Sequence, residues 1–259
     1  MNIVVLMKQV PDTYAERKLQ AGDNTLDRDA SDAVINEIDE YAIEEGLLLK
    51  EAHGGEVTIL TMGPDRATES IRKALSMGAD KGVHVLDDAL HGSCAITTAK
   101  VLAKALGTIQ YDLVIAGSEA TDSRLSIVPA LVSEALGVAQ LSGARKVTVD
   151  GSTVTIERTT DTGFDRVEGA VPAVVSVVEK INEPRYPSFK GIMAAKSKPV
   201  TTLSLSDLGL SPDEVGLVAS TTTVESYEEA PPRAAGTIVK DEGNGGAAIA
   251  EYLASRKLI

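Results

Sequence analysis

The sequence predicts an α/β protein built on a doubly wound parallel sheet, and three observations carry that expectation. Short continuous apolar runs recur at residues 3–7, 57–61, 83–86 and 113–116, the mark of strands buried on both faces. Between them, residues 36–53, 65–77 and 93–106 space their apolar side chains three and four apart. Gly54, Gly78 and Gly107 stand just past those segments, as glycine does at helix C-termini. A fifth unit, residues 125–136 ending at Gly137, keeps the alternation strict. Residues 1–140 therefore read as a Rossmann-like sheet, of the adenine-nucleotide α-hydrolase type, with helices on both faces.

Beyond that point the period changes. Residues 145–158 alternate on both sides of Asp150-Gly151, a β-hairpin signal. Residues 171–178 form a further buried strand. From Asn182 the chain turns irregular, with Pro184, Pro187, Pro199 and the pair Pro231-Pro232, before a last helix over residues 247–258. Such an extension reads either as an attached tail or as an arm that wraps a partner subunit.

Composition narrows the function classes. The chain is 43% hydrophobic but 3% aromatic, without tryptophan, so its core must be aliphatic. With 38 acidic against 25 basic residues the net charge is -13, which disfavours nucleic acid and anionic membranes as partners. Cys94 is the single cysteine, so internal disulfides and CxxC metal sites are excluded and no metal is expected. The opening MNIVVLMKQVPD is too short an apolar run for a signal peptide, and no segment approaches the ~20 apolar residues of a membrane span. A cytoplasmic chain is expected.

A doubly wound sheet binds ligands beyond the carboxyl ends of its strands, where the strand order reverses. With order 3-2-1-4-5 that crevice lies between the strand ending near Met7 and the strand ending near Ala116. Two unusual loops meet there. Residues 8–33 form a connection far longer than the ~2–6 residues usual in βα units, with a small hairpin expected at Gly22-Asp23-Asn24. The second loop, GSEATDSRLS at residues 117–126, opens onto a helix. Its N–H groups and the hydroxyls of Ser118, Thr121, Ser123 and Ser126 suit a phosphate, and the same residues equally suit N-caps. Glu119 and Asp122 oppose an anion unless they point away or bind ribose hydroxyls. The GNGG at residues 243–246 reads as a connector, and His53, His84 and His91 stand apart from any carboxylate or nucleophile pattern. No acid-base or nucleophilic constellation is present, so the chain reads as catalytically empty.

The segment INEPRYPSFKGIMAAKSKP, residues 181–199, places Phe189, one of two phenylalanines, among Arg185, Lys190, Lys196 and Lys198. Together with VLMKQVPD (5–12), NEIDEYAIEEGLLLKE (36–51), ALSMGAD (74–80), DLGL (207–210) and PPRAAG (231–236), it resembles the β subunits of electron-transfer flavoproteins. The resemblance implies a heterodimer whose α subunit holds most of a flavin adenine dinucleotide (FAD), while the β subunit buries an AMP. Carried onto this chain, the AMP contacts are Leu6, Asn36, Glu37, Ile38, Asp39 and Met62, then the loop Gly117, Ser118, Glu119, Ala120, Thr121, Asp122, Ser123, Arg124, Leu125, Ser126, Ile127 and Val128. That loop departs from the family pattern at Glu119, where a glutamine is usual, and in Arg124, Leu125 and Ile127.

The resemblance further implies that residues 182–199 form a recognition loop for acyl-CoA or related dehydrogenases, with Arg185, Tyr186, Phe189, Ile192 and Met193 at the contact and Phe189 in the place of an anchoring leucine. Electrons would pass onward to a membrane quinone oxidoreductase, as in fatty acid β-oxidation. The implied organisation is a nucleotide-binding core over residues 1–181, the loop 182–199, and an arm and helix over 200–259. Two rival readings are an electron-bifurcating type, with a second FAD in this chain and NADH as donor, and a stand-alone adenine-nucleotide sensor.

Overall fold

The computed structural model describes residues 1–233, 235–236 and 238–259. Its sheet contains β1 (Asn2–Leu6), β4 (Glu56–Met62), β5 (Lys81–Val85), β6 (Leu113–Gly117), β7 (Ala139–Asp150), β8 (Thr153–Thr160), β9 (Gly163–Ala170), β10 (Ala173–Val177) and β11 (Val200–Leu203). A separate two-stranded ribbon pairs β2 (Gln9–Pro11) with β3 (Ala33–Ile35). The helices are α1 (Glu37–His53), α2 (Ala67–Met77), α3 (Ala95–Leu106), α4 (Val128–Leu136), α5 (Phe189–Ala195) and α6 (Gly245–Ser255).

The large sheet has the order β11-β5-β4-β1-β6-β10-β7-β8-β9. From β11 to β7 every neighbour is parallel, and β8 and β9 extend the sheet antiparallel. The centre, β5-β4-β1-β6, follows the expected 3-2-1-4, but the fifth place departs from expectation: β10 lies between β6 and β7, the strand next in sequence. β1 shows why the sheet is doubly wound. Its Ile3 and Val5 enter one core with Ala42, Ile43 and Leu47 of α1 and Ile71 and Leu75 of α2. Its Val4 and Leu6 enter the other with Val101 and Leu102 of α3 and Val132 of α4. A strand buried on both faces needs apolar residues at every position, which is what the sequence supplies.

Several elements differ from expectation, among them the β2-β3 ribbon at the two ends of the stretch read as one long loop. β7 starts at Ala139, before the alternating stretch, because one strand serves two partners: its first half pairs parallel with β10 and its second half antiparallel with β8. The register shifts between Ala144 and Lys146, just after Gly143 at φ 74°, the left-handed geometry that glycine adopts without strain. β9 lies at the sheet edge with most of its residues exposed, so its sequence GFDRVEGA has no buried face to betray it. β11 and α5 lie in the stretch read as irregular. β11 is a short edge strand on β5, and α5 is seven residues long.

Residues 1–225 form one compact unit and residues 226–259 another. Residues 200–225, read from the sequence as part of the arm, thus belong to the first unit. In the second, the Asp241 carboxylate accepts the N–H groups of Gly243 and Gly245, both at 2.8 Å, at the start of α6, and α6 exposes Ile249 and Tyr252. No helix among the described residues is long and apolar enough to cross a membrane.

Candidate functional site at the sheet switch point

The chain passes from β1 outward through β4 and β5 and then returns to β6 on the other side of β1, so the order reverses between β1 and β6. Leu6 lies opposite Ala116 there. Asp39, in the first turn of α1, bridges the two strand ends. Its Oδ2 accepts the Lys8 N–H at 2.7 Å and its Oδ1 accepts the Gly117 N–H at 3.2 Å. Burial pushes the Asp39 carboxyl up to about 7, against the opposing pull of these N–H donors and of Asn36. Gly117 is closely fitted: a Cβ on it would lie 2.4 Å from Asp39 Oδ1, so a larger residue forces the carboxylate to shift.

Asn36, fully buried just before α1, clasps the 117–128 loop with both ends of its amide. Its Nδ2 donates to the Glu119 carbonyl at 2.8 Å and its Oδ1 accepts the Thr121 N–H at 3.0 Å. Asn36 stands at the N-cap position of α1 yet caps none of its N–H groups; the amide is spent on the loop instead.

Asp122 resolves the charge objection raised by the sequence. Its carboxylate is turned inward, 1% exposed, between Lys8 Nζ at 2.8 Å and Arg28 Nη2 at 2.9 Å. Burial alone would raise the Asp122 carboxyl, but the two cations outweigh it and hold it below the usual range. Burial likewise lowers the Lys8 ammonium, against the attraction of Asp122. Sequence reasoning missed Lys8 and Arg28 altogether, although the long 8–33 loop that carries them was legible as an anomaly. Glu119, the other acidic residue, accepts the Ser126 hydroxyl at 3.0 Å and lies 3.5 Å from Arg124 Nη1.

The loop does not run straight into its helix. Arg124 and Ser126 adopt φ of 51° and 54°, and α4 begins at Val128 rather than at 125, with no side-chain cap on its first N–H groups. Thr121 Oγ1 is buried without a hydrogen-bond partner among the described residues. Ser123, Arg124, Leu125 and Ile127 form an exposed rim, while Leu6, Ile38 and Thr121 are buried and Glu37 lies exposed; Met62, Ser118, Ala120 and Val128 are partly buried. Open N–H groups at a helix start, an orphaned hydroxyl and a neutralised carboxylate suit a polar, anion-bearing ligand.

Of the histidines read as standing apart from any carboxylate or nucleophile, His84 keeps to that reading and His91 departs from it. His84 is buried on β5 with Nε2 2.9 Å from the Gly63 carbonyl. His91 Nε2 lies 2.8 Å from Asp23 Oδ2, 68 positions away, at the tip of the small hairpin closed by the Leu19–Leu26 bridge. Only the tertiary fold brings that tip to His91.

The 182–199 segment is tied to α1 at its start. Asn182 Nδ2 donates to the Tyr41 carbonyl at 3.1 Å and to Glu45 Oε2 at 3.0 Å. Arg185 pairs with Glu44 and Glu51 of α1, so its guanidinium is committed within the chain. Tyr186 and Phe189 are 95% and 81% exposed, and Ile192 and Met193 are exposed beside them. Lys198, one of the cations around Phe189 in sequence, turns inward and donates to the carbonyls of Leu75 and Ala79 at 2.9 and 2.6 Å.

Comparison with known proteins bears on the whole of this arrangement. The model of the electron transfer flavoprotein domain matches residues 23–208. The chain is 56% identical to the electron transfer flavoprotein subunit beta of Mycobacterium tuberculosis (strain ATCC 25618 / H37Rv), over 100% of this chain and 99% of the relative. It is 55% identical to that of Mycobacterium leprae, at the same coverage. It is 39% identical to that of Thermoanaerobacterium thermosaccharolyticum, over 86% of each chain. The chain belongs to the electron transfer flavoprotein family, among its β subunits.

Proposed function

We propose that this chain pairs with an electron transfer flavoprotein α subunit and serves as an electron carrier without catalytic residues of its own. A FAD held mainly by the α subunit supplies the redox chemistry. This chain positions the flavin-bearing partner, buries an AMP at the switch point, and presents the α5 face to a primary dehydrogenase of the acyl-CoA class. Electrons then leave for a membrane quinone oxidoreductase.

The observation that carries the reading is the apolar α5 face. Phe189 is 81% exposed on a chain of net charge -13, and transient redox encounters use small interfaces in which one buried anchor dominates. The orphaned Thr121 hydroxyl, the uncapped start of α4 and the inward-turned Asp122 support AMP in the adjoining loop.

The test is to purify the chain with its α subunit, denature the complex, and count released nucleotides by chromatography. One FAD and one AMP per heterodimer are expected. Two FAD and no AMP replace this reading with the bifurcating type. A stable, monodisperse monomer formed without any α chain replaces it with the stand-alone sensor.

A further inference from the structure

We infer that Arg72 and Gly191 are positioning residues for dehydrogenase docking: they seat α5 on α2 and so hold Phe189 in its outward pose. The inference rests on the docking reading above and adds to it the device that presents the anchor.

α5 is seven residues long, too short to persist as a helix on its own, because nucleation is costly and isolated helices below ~12–15 residues are marginal. What holds it is α2. Arg72 Nη1 donates to the Ala195 carbonyl at 2.8 Å and to the Lys198 carbonyl at 2.7 Å, tying down the last turn of α5 and the chain that leaves it. Lys198 adds to the contact, its ammonium on the Leu75 carbonyl in the last turn of α2 and on the Ala79 carbonyl just past it, where a cation also meets the negative pole of the helix.

At the first turn the two helices touch with no side chain between them. A Cβ on Gly191 would lie 2.3 Å from the Ser76 carbonyl oxygen, so any larger residue lifts α5 off α2. The Ser188 hydroxyl caps that turn through the Gly191 N–H at 3.0 Å. Both ends of α5 are thus fixed, Ala195 is buried against α2, and Phe189, Ile192 and Met193 face solvent. A segment already ordered gives up less conformational freedom when a partner closes on it.

The test uses the heterodimer with its α subunit and an acyl-CoA dehydrogenase, measuring KM for the heterodimer and kcat for Phe189→Ala, Arg72→Ala, Gly191→Ala and the double variant Arg72→Ala/Phe189→Ala. Each single substitution is expected to raise KM about tenfold, ~1.4 kcal/mol, with kcat and flavin content unchanged. The double variant should do little worse than Phe189→Ala, because Arg72 acts through the anchor. Faster amide exchange confined to residues 188–198 is expected in Arg72→Ala and Gly191→Ala.

If Phe189→Ala raises KM while Arg72→Ala and Gly191→Ala do not, or if the Arg72 and Phe189 effects multiply in full, the positioning role is overturned and docking through Phe189 stands. An unchanged KM in Phe189→Ala overturns the docking reading and this inference with it. Gly191→Ala keeps the question decidable if Arg72→Ala fails to fold, since it leaves α2 untouched.

Discussion

Arg185 meets Glu44 through two N–H···O bonds, Nε to Oε2 and Nη2 to Oε1, both at 2.8 Å. The Glu44 carboxylate is nearly buried, and the Arg185 N–H adds a third bond to its Oε2 at 3.1 Å. Planar two-point pairing of this kind is the strong form of an ion pair. It pins the start of the 182–199 segment to α1. Truncation of Arg185 leaves a buried charge without its partner, so Arg185→Ala is expected to cost about 2–3 kcal/mol. A double-mutant cycle with Glu44→Ala in urea unfolding should return a coupling of ~1–3 kcal/mol; a coupling near zero would make the pair a solvated surface contact.

Asn36 is the corresponding fastener of the switch-point loop. Asn36→Ala strips the Thr121 N–H and the Glu119 carbonyl of their partners together. Each polar group left buried and unpaired costs ~1–3 kcal/mol, so a loss of about 2–4 kcal/mol is expected. Amide exchange over residues 119–124 should quicken and the AMP content of the purified heterodimer should fall. Unaltered exchange there would mean that the loop holds its shape without Asn36.

Gly117 tests how tightly the strand end and α1 are fitted. Gly117→Ala places a methyl group 2.4 Å from Asp39 Oδ1, so the carboxylate has to leave one or both of its N–H donors. Overpacking of this kind costs ~1–3 kcal/mol. The loss should overlap with that of an Asp39 variant rather than add to it, because both act on the same bonds. Full additivity in urea unfolding would place the strain elsewhere.

These residues also show what a sequence can carry. The order of the central strands is legible because burial on both faces forces apolar runs at 3–7, 57–61 and 113–116, and alternation with helices allows few topologies. β9, β11 and α5 are not legible, since each is short or exposed and owes its form to a neighbour: β8, β5 and α2. At the switch point, periodicity selects the two loops but not the side chains. Asn36 and Asp39 enter only through the family resemblance. Lys8 reaches Asp122 across 114 positions, a distance at which neither propensity nor spacing speaks. Phe189 is conspicuous by rarity, whereas its support, Arg72, is one arginine among many in an ordinary helix.

Asp39 makes the stability of this chain depend on pH with an inverted sign. Its folded carboxyl sits at about 7 because burial disfavours the charge, above the ~3.9 of a free aspartate. Between those values the folded chain holds the proton and the unfolded chain does not, so stability falls as pH rises from ~4 to ~7 and levels off above. At ~1.4 kcal/mol per pKa unit the fall is on the order of 4 kcal/mol. Asp39→Asn keeps an acceptor for one N–H donor, loses the other bond, and abolishes the titration. Glu45, whose carboxyl burial also raises, is present in both proteins and cancels in their difference. Urea unfolding at pH 5, 6, 7 and 8 should therefore find the parent losing ground to Asp39→Asn with each step up to pH 7, then running parallel to it. A constant difference across that range would show that Asp39 is ionised throughout, and that its two N–H donors outweigh its burial.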